Sequence, residues 1–155
     1  MRKFIRFGET MVRYIAEYEA DYQPEGHHIK DIAGAKSNVA VNIHKLIPNT
    51  VNSIWISRLV DDATGELIQN ELQKRISVQA HRFAGKFTGT AYLNHCGDDH
   101  IKTYKRQGSA ASTLSFADIE PHLPIGDILH ITGITPALSK TCQVTTYKAL
   151  KWAKK

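Results

Sequence analysis

Tyr104 and Arg106 stand two positions apart in "HIKTYKRQGSAAS" (residues 100–112), where alternating apolar or aromatic and basic residues give way to Gly, Ser and Ala. Residues two apart on a strand share a face, so the phenol and the guanidinium point the same way, with Tyr92 on the facing strand. Arginine matches a carboxylate through two parallel hydrogen bonds, and tyrosine stacks on or hydrogen-bonds a polar ligand. Cross-strand pairing on an exposed face accounts for the same residues equally well. A second candidate is "AGAKSNVA" (33–40), a small-residue turn directly before a helix N-terminus. Free backbone N–H groups there suit an anion or a hydroxyl-rich ligand, and Asn38 can hydrogen-bond it. An ordinary capped turn is the other reading.

Other polar clusters have simpler explanations. The acidic pair in "VDDATG" (60–65) reads as an N-cap favoured by the helix dipole rather than as a metal or acid/base site. Asp98 and Asp99 follow Gly97 as hairpin-turn residues. "HCGDDH" (95–100) matches no strong zinc spacing, and no second cluster supports it. No Walker-type phosphate loop occurs.

These residues need elements to position them. "KFIRFG" (3–8), "MVRYIAEY" (11–18), "SIWISRLV" (53–60) and "VQAHRF" (78–83) read as strands, and "DYQPEGHH" breaks the second. "SNVAVNIHKLI" (37–47) reads as a helix capped by Ser37 or Asn38, with Val39, Ile43, Leu46 and Ile47 on its inner face and Pro48 ending it. "DDATGELIQNELQKR" (61–75) gives a second helix burying Ile68, Leu72 and Ile76. Residues 90–106 form a hairpin turning at Gly97-Asp98-Asp99. "DILHIT" (127–132) reads as a buried strand, and 139–155 as a helix whose stripe includes Cys142, Thr146, Ala149, Leu150 and Ala153. Strands alternating with helices predict an α/β parallel sheet with the hairpin projecting outside it.

At 155 residues, 42% hydrophobic and 23% charged, the chain reads as one soluble domain. No run is long enough to span a membrane and no secretory signal is present, so a cytoplasmic location is expected. Cys96 and Cys142 are expected as free thiols. The net charge of +5 is scattered, and no interleaved aromatic and basic platform appears, so no nucleic-acid partner is expected.

The motifs occur in the order "FGET", "AGAKSNVAVNIHKL", "DDATGELIQNELQKR", "TGTAYLNH", "YKRQGSAASTLS" and "GDILHITGITPAL". In that order the chain resembles the N-terminal half of the ribokinase-like (PfkB) family of carbohydrate kinases, over essentially its whole length. The resemblance is nearest to members acting on 2-keto-3-deoxygluconate. It implies a three-layer αβα, Rossmann-like core. It also implies a β-clasp lid from segments near 10–32 and 82–106, through which homo-oligomers form. The residues matching the family's sugar-acid site are Gly34, Ala35, Lys36, Ser37, Asn38, Tyr92, Tyr104 and Arg106. The implied reaction is transfer of the ATP γ-phosphoryl group, with Mg²⁺, to the 6-hydroxyl of the sugar acid.

The departures carry expectations of their own. Family members are about twice this long, and their later half holds the catalytic Gly-x-Gly-Asp turn and the adenine pocket. Neither is present, so the chain reads as a truncated domain, inactive alone; a sugar-acid-binding or dimerising module is the alternative. Ala33, Val60 and Ile76 stand where glycine is usual. A left-handed backbone at those positions would cost about 1–2 kcal/mol each. Lys36 replaces a usual acidic residue.

Overall fold

The computed structural model describes residues 1–19 and 23–154. Residues 20–22, which include the first two residues of "DYQPEGHH" and fall in the stretch 10–32 expected to form a lid, and Lys155 lie outside the described residues. Alternation along β1 (Arg2–Phe7) decides the layering. Ile5 and Phe7 point into a core with Leu114, Ile119, Cys142 and Ala149, while Arg6 points to the other face and donates to the Lys36 carbonyl. Strand β4 (Val51–Val60) does the same, sending Ile54 and Ile56 to the first core. Its Trp55 and Leu59 go to a second core with Ala40, Ile68 and Leu72. Both faces of these strands are buried, as expected in a parallel sheet covered twice.

The parallel sheet has the order β5-β4-β1-β8, with β5 (Ser77–Phe83) and β8 (Ile128–His130) at its edges. Helices α1 (Ala35–Leu46) and α2 (Ala63–Gln73) cover one face. The other is covered by α3 (Phe116–Ile119), 3₁₀ turns at Ala110–Thr113 and Glu120–Ile125, and, after α4 (Ile134–Ala137), α5 (Lys140–Ala153). This is the three-layer αβα arrangement. Asp62 caps α2 by accepting from the Gly65 amide, and Ser139 caps α5 by accepting from the Cys142 amide.

A second sheet, ordered β3-β2-β6-β7, holds β2 (Met11–Glu19), β3 (His28–Ala33), β6 (Thr90–Cys96) and β7 (Asp99–Lys105). The hairpin does lie outside the parallel sheet, but it is half of a sheet rather than a lone flap. β6 runs parallel to β2, and β7 antiparallel to β6 with Cys96 opposite Asp99. Val12 of β2 enters the α1–α2 core, so the second sheet is anchored to that layer. Arg82 and Phe83 still belong to β5.

Several expectations need correction. The N-cap of α1 is Gly34, not Ser37 or Asn38, and no side chain caps it. Its buried residues are Lys36, Ser37 and Ala40, whereas Leu46 is 80% exposed. The apolar stripe misled because the turn before α1 is pinned at residues 34–37, which rotates Leu46 outward. β8 is an edge strand rather than a buried one, with Ile128 exposed and Leu129 and His130 half-buried, because no strand lies beyond it among the described residues of this sheet. Ala33, Val60 and Ile76 carry no left-handed strain, since no non-glycine among the described residues has positive φ. Both cysteines are free thiols, Cys96 exposed and Cys142 buried.

The α2 entry turn is tightly filled. A Cβ at Gly65 would lie 2.1 Å from the Val60 carbonyl oxygen. Gly65→Ala is expected to lower stability in urea unfolding by about 1–3 kcal/mol. Leu46→Ser, on the outward face of α1, is expected to change it by less than about 0.5 kcal/mol.

Candidate functional site

A cavity of about 340 Å³ lies between the start of α1 and one face of the second sheet. That volume is in the range of small-molecule sites. Register explains which side chains meet there. Arg13 pairs with Ala91, and Ala91 with Tyr104, so these three share a face, joined by Lys102 two residues before Tyr104. Arg106, just past the end of β7, reaches the cavity beside Tyr104, its guanidinium 5.9 Å from the ring centroid.

Gly34, Ala35 and Asn38 border the cavity from α1. Gly34 is extended, so its need for glycine is steric. A Cβ there would lie 2.7 Å from both Ser37 Oγ and Thr10 Oγ1. Thr10 donates to Ser37 Oγ at 2.9 Å, and Ser37 donates to the Gly34 carbonyl at 3.1 Å. Ser37 therefore holds the turn rather than facing a ligand. Tyr92 borders the cavity, but register places its ring on the opposite face of the sheet, stacked on Tyr14 at 5.3 Å. Lys36 does not border it and is completely buried. Of the eight expected site residues, six border one cavity, five of them on the side where Arg106 and Tyr104 meet.

Arg106 is not a free guanidinium. Its Nε donates to Glu9 Oε2 at 2.8 Å and its Nη2 lies 2.6 Å from the same oxygen, while Ser109 Oγ donates to Oε1 at 2.6 Å. The Glu9 side chain is wholly buried. Glu9 thus takes half of the arginine fork, leaving Nη1 outside that pair. Arg13 pairs with Asp31 at the rim. Among the cavity-lining residues described, three are cations, Arg13, Lys102 and Arg106, and one is a carboxylate, Glu9, already engaged. Sequence reasoning missed Glu9, Arg13 and Lys102. The alternation that singled out Tyr104 and Arg106 also places Lys102 on their face; Arg13 becomes a neighbour only through the pairing of β2 with β6.

Among the described residues, no three His, Cys, Asp or Glu side chains converge on one point, and the sequence contains no Gly-x-Gly-Asp segment.

Beneath the cavity, Lys36 Nζ has no hydrogen-bond partner. Burial, and then the Arg106 charge, bring its amine down to about 8, against the pull of Glu9 and Cys142. Protonated Lys36 therefore disfavours the fold. Below pH 8 the whole cost is present, and between 8 and the ordinary 10.5 the unfolded chain binds the extra proton, so stability rises with pH. Lys36→Met is expected to be more stable than the parent at pH 7, by up to about 3 kcal/mol. In urea unfolding from pH 7 to 10.5 the difference should shrink across pH 8–10.5; a difference constant over that range would contradict the assignment.

The whole chain, residues 1–155, matches the pfkB family carbohydrate kinases. It is 31% identical over 154 residues to the 2-dehydro-3-deoxygluconokinase of Bacillus subtilis (strain 168), covering 94% of this chain and 46% of that protein, its N-terminal half. It is 29% identical to the 2-dehydro-3-deoxygalactonokinase of Haloferax volcanii, covering 97% of this chain and 48% of that protein. The chain thus spans about half the length of the curated relatives it matches. Among solved structures, a PfkB protein from Polaromonas sp. JS666 superposes with a TM-score of 0.88 at 30% identity, over 97% of this chain and 51% of that one. The 2-dehydro-3-deoxygluconokinase of Thermotoga maritima shares the fold with a TM-score of 0.86 at 24% identity, over 99% of this chain and 48% of that one. By sequence and by fold, this chain belongs to the pfkB family of carbohydrate kinases.

Proposed function

We propose that these residues form the acceptor-binding half of a sugar-acid kinase, which holds 2-keto-3-deoxygluconate for phosphorylation at its 6-hydroxyl. The observation that carries this reading is the unpaired cationic surface of the cavity: among the described residues, Lys102 and the Nη1 edge of Arg106 line it without a carboxylate partner, while Arg13 is paired with Asp31 and Glu9 with the rest of the Arg106 fork. A neutral sugar does not need that excess; a sugar carboxylate does. The two curated relatives, named for 2-dehydro-3-deoxy sugar acids, support the same class.

In this reading Arg106, held in orientation by Glu9, offers its remaining edge to the carboxylate, with Lys102 adding charge and Tyr104 a phenol. Asn38 and the uncapped amides at the start of α1 take sugar hydroxyls. The second sheet acts as the lid and supplies the homo-oligomer contact. ATP with Mg²⁺ supplies the phosphoryl group when bound; these 155 residues position the acceptor and carry no Gly-x-Gly-Asp base, so they do not turn over alone. The absence of that motif also favours a second reading, in which the same site only binds a sugar acid.

The test is thermal unfolding of residues 1–155. Millimolar 2-keto-3-deoxygluconate is expected to raise Tm, and fructose is not. Lys102→Ala, an exposed change, should weaken the shift without unfolding the protein. Arg106→Ala should abolish it, at a stability cost of about 3–5 kcal/mol from the stranded Glu9. No shift with the sugar acid would refute the binding reading. Phosphoryl transfer by residues 1–155 alone would refute the assignment of the base elsewhere.

A further inference from the structure

The strand order β5-β4-β1-β8 places a topological switch at β1, because the connections from β1 lead through β4 to β5 on one side and β8 lies on the other. In open α/β sheets, ligands occupy the crevice at the carboxyl ends of the strands beside such a switch. Here that crevice lies between the end of β1, the segment after β8 and the first turn of α1. It is distinct from the cavity bordered by Arg106, since neither Arg6, Lys36 nor His130 borders that cavity.

Unsatisfied donors collect there. Arg6 and Lys36 are both completely buried, yet Arg6 Nε and Nη2 and Lys36 Nζ have no hydrogen-bond partner. Among the described residues neither cation has a carboxylate in salt-bridge range; Glu9, the nearby acid, is held by Arg106 and Ser109. Across the strand pair, His130 sits directly opposite Arg6, and its Nδ1 and the Thr132 hydroxyl are also buried without partners. Lys36 Nζ reaches the end of β1, since a Cβ at Gly8 would lie 2.9 Å from it and 2.6 Å from Thr135 Oγ1. The Arg6 and Lys36 charges both act on the His130 ring. Arg6 Nη1 is anchored to the Lys36 carbonyl at 2.9 Å.

A lysine has three donors and no acceptor, and an arginine five donors and no acceptor. Burying two such groups without a counter-charge is costly unless something negative is bound. The Phe4 ring, 4.0 Å from the Arg6 guanidinium, offers a partial substitute at most. The start of α1 adds to the field: Gly34 provides no side-chain cap and the first turn holds no acidic residue. Access is available, because His130 and Thr132 are only partly buried.

We infer that Arg6, Lys36, His130 and Thr132 form an oxyanion site at the β1/β8 switch, separate from the sugar-acid cavity and taking a phosphate or carboxylate group. Its ligand answers the buried cations. The site does not depend on the sugar-acid reading, and the two fail separately.

Inorganic phosphate is the probe, with acetate as the carboxylate arm and chloride at matched ionic strength as reference. Phosphate also stabilises proteins generally by exclusion from their surface, so Arg6→Met and Lys36→Met serve as controls; each removes a buried charge. At ten times the dissociation constant, the parent Tm is expected to rise about 3–6 °C more than that of either variant. ¹H–¹⁵N spectra of the parent should show the anion moving the amides of residues 35–38 and 130–135, a readout independent of the variants' stability. Lys102→Ala should keep this response while its sugar-acid shift weakens. A larger response to phosphate assigns a phosphoryl group, and one to acetate a carboxylate. Equal rises in parent and both variants, or spectra unmoved by either anion, would overturn the site.

Discussion

One buried carboxylate holds the two sheets together. Glu9 lies two residues past the end of β1, and its partners Arg106 and Ser109 lie 97 and 100 residues later, where the chain leaves β7. The bond therefore joins the carboxyl end of the central parallel strand to the exit of the second sheet. Its surroundings are shaped for it: a Cβ at Gly89 would lie 2.5 Å from Glu9 Oε1, and Gly108, at φ +79°, turns the chain so that Ser109 can reach it. A wholly desolvated carboxylate with a single ionic partner is stabilising only while that partner stays. The cavity wall and the ion pair are thus one construction, and Arg106 cannot be altered in its binding role without disturbing the fold.

The second organising fact is where the positive charge sits. A net +5 spread over a surface says little about ligands. The same charges gain meaning when three of them face one cavity, and when two more, Arg6 and Lys36, are buried beside the central strand without carboxylates. Burial brings Arg6 down to about 10 and lowers His130 as well, with Arg6 and Lys36 adding to the latter. Buried cations without a counter-charge weaken a protein, and perturbed titratable groups of this kind cluster at sites that bind something.

Much of the layering was legible from periodicity. β1, β4, β5, α2 and α5 follow from alternation or from capped apolar stripes, and Ile68, Leu72 and Ile76 are buried as a helical face requires. Failures occurred where long-range contacts outvote local pattern. The α1 stripe pointed to Leu46, but the Thr10–Ser37–Gly34 hydrogen bonds set the helix phase and turned Lys36 and Ala40 inward. β3 has a weak strand pattern, and its pairing along β2, from Met11 opposite Ala33 to Ala16 opposite His28, makes it one. β8 looked buried because its residues are apolar, yet its place in the strand order leaves it at an edge.

The sequence alone determined most of the longer elements, the family and six of the residues around the cavity, because residue type and spacing act locally and the motifs occur in a specific order. It also named Tyr104 and Arg106 as neighbours, since alternation on a strand is a local geometric fact. Tertiary structure decided which groups those residues meet. That Arg106 is half committed to Glu9, that Tyr92 turns to Tyr14, and that Lys36 is buried beside Arg6 all depend on strand pairings between distant segments. Charge and hydrogen-bonding character belong to a residue, but burial and partners belong to the fold, and these decide whether a cation binds, braces or waits for an anion.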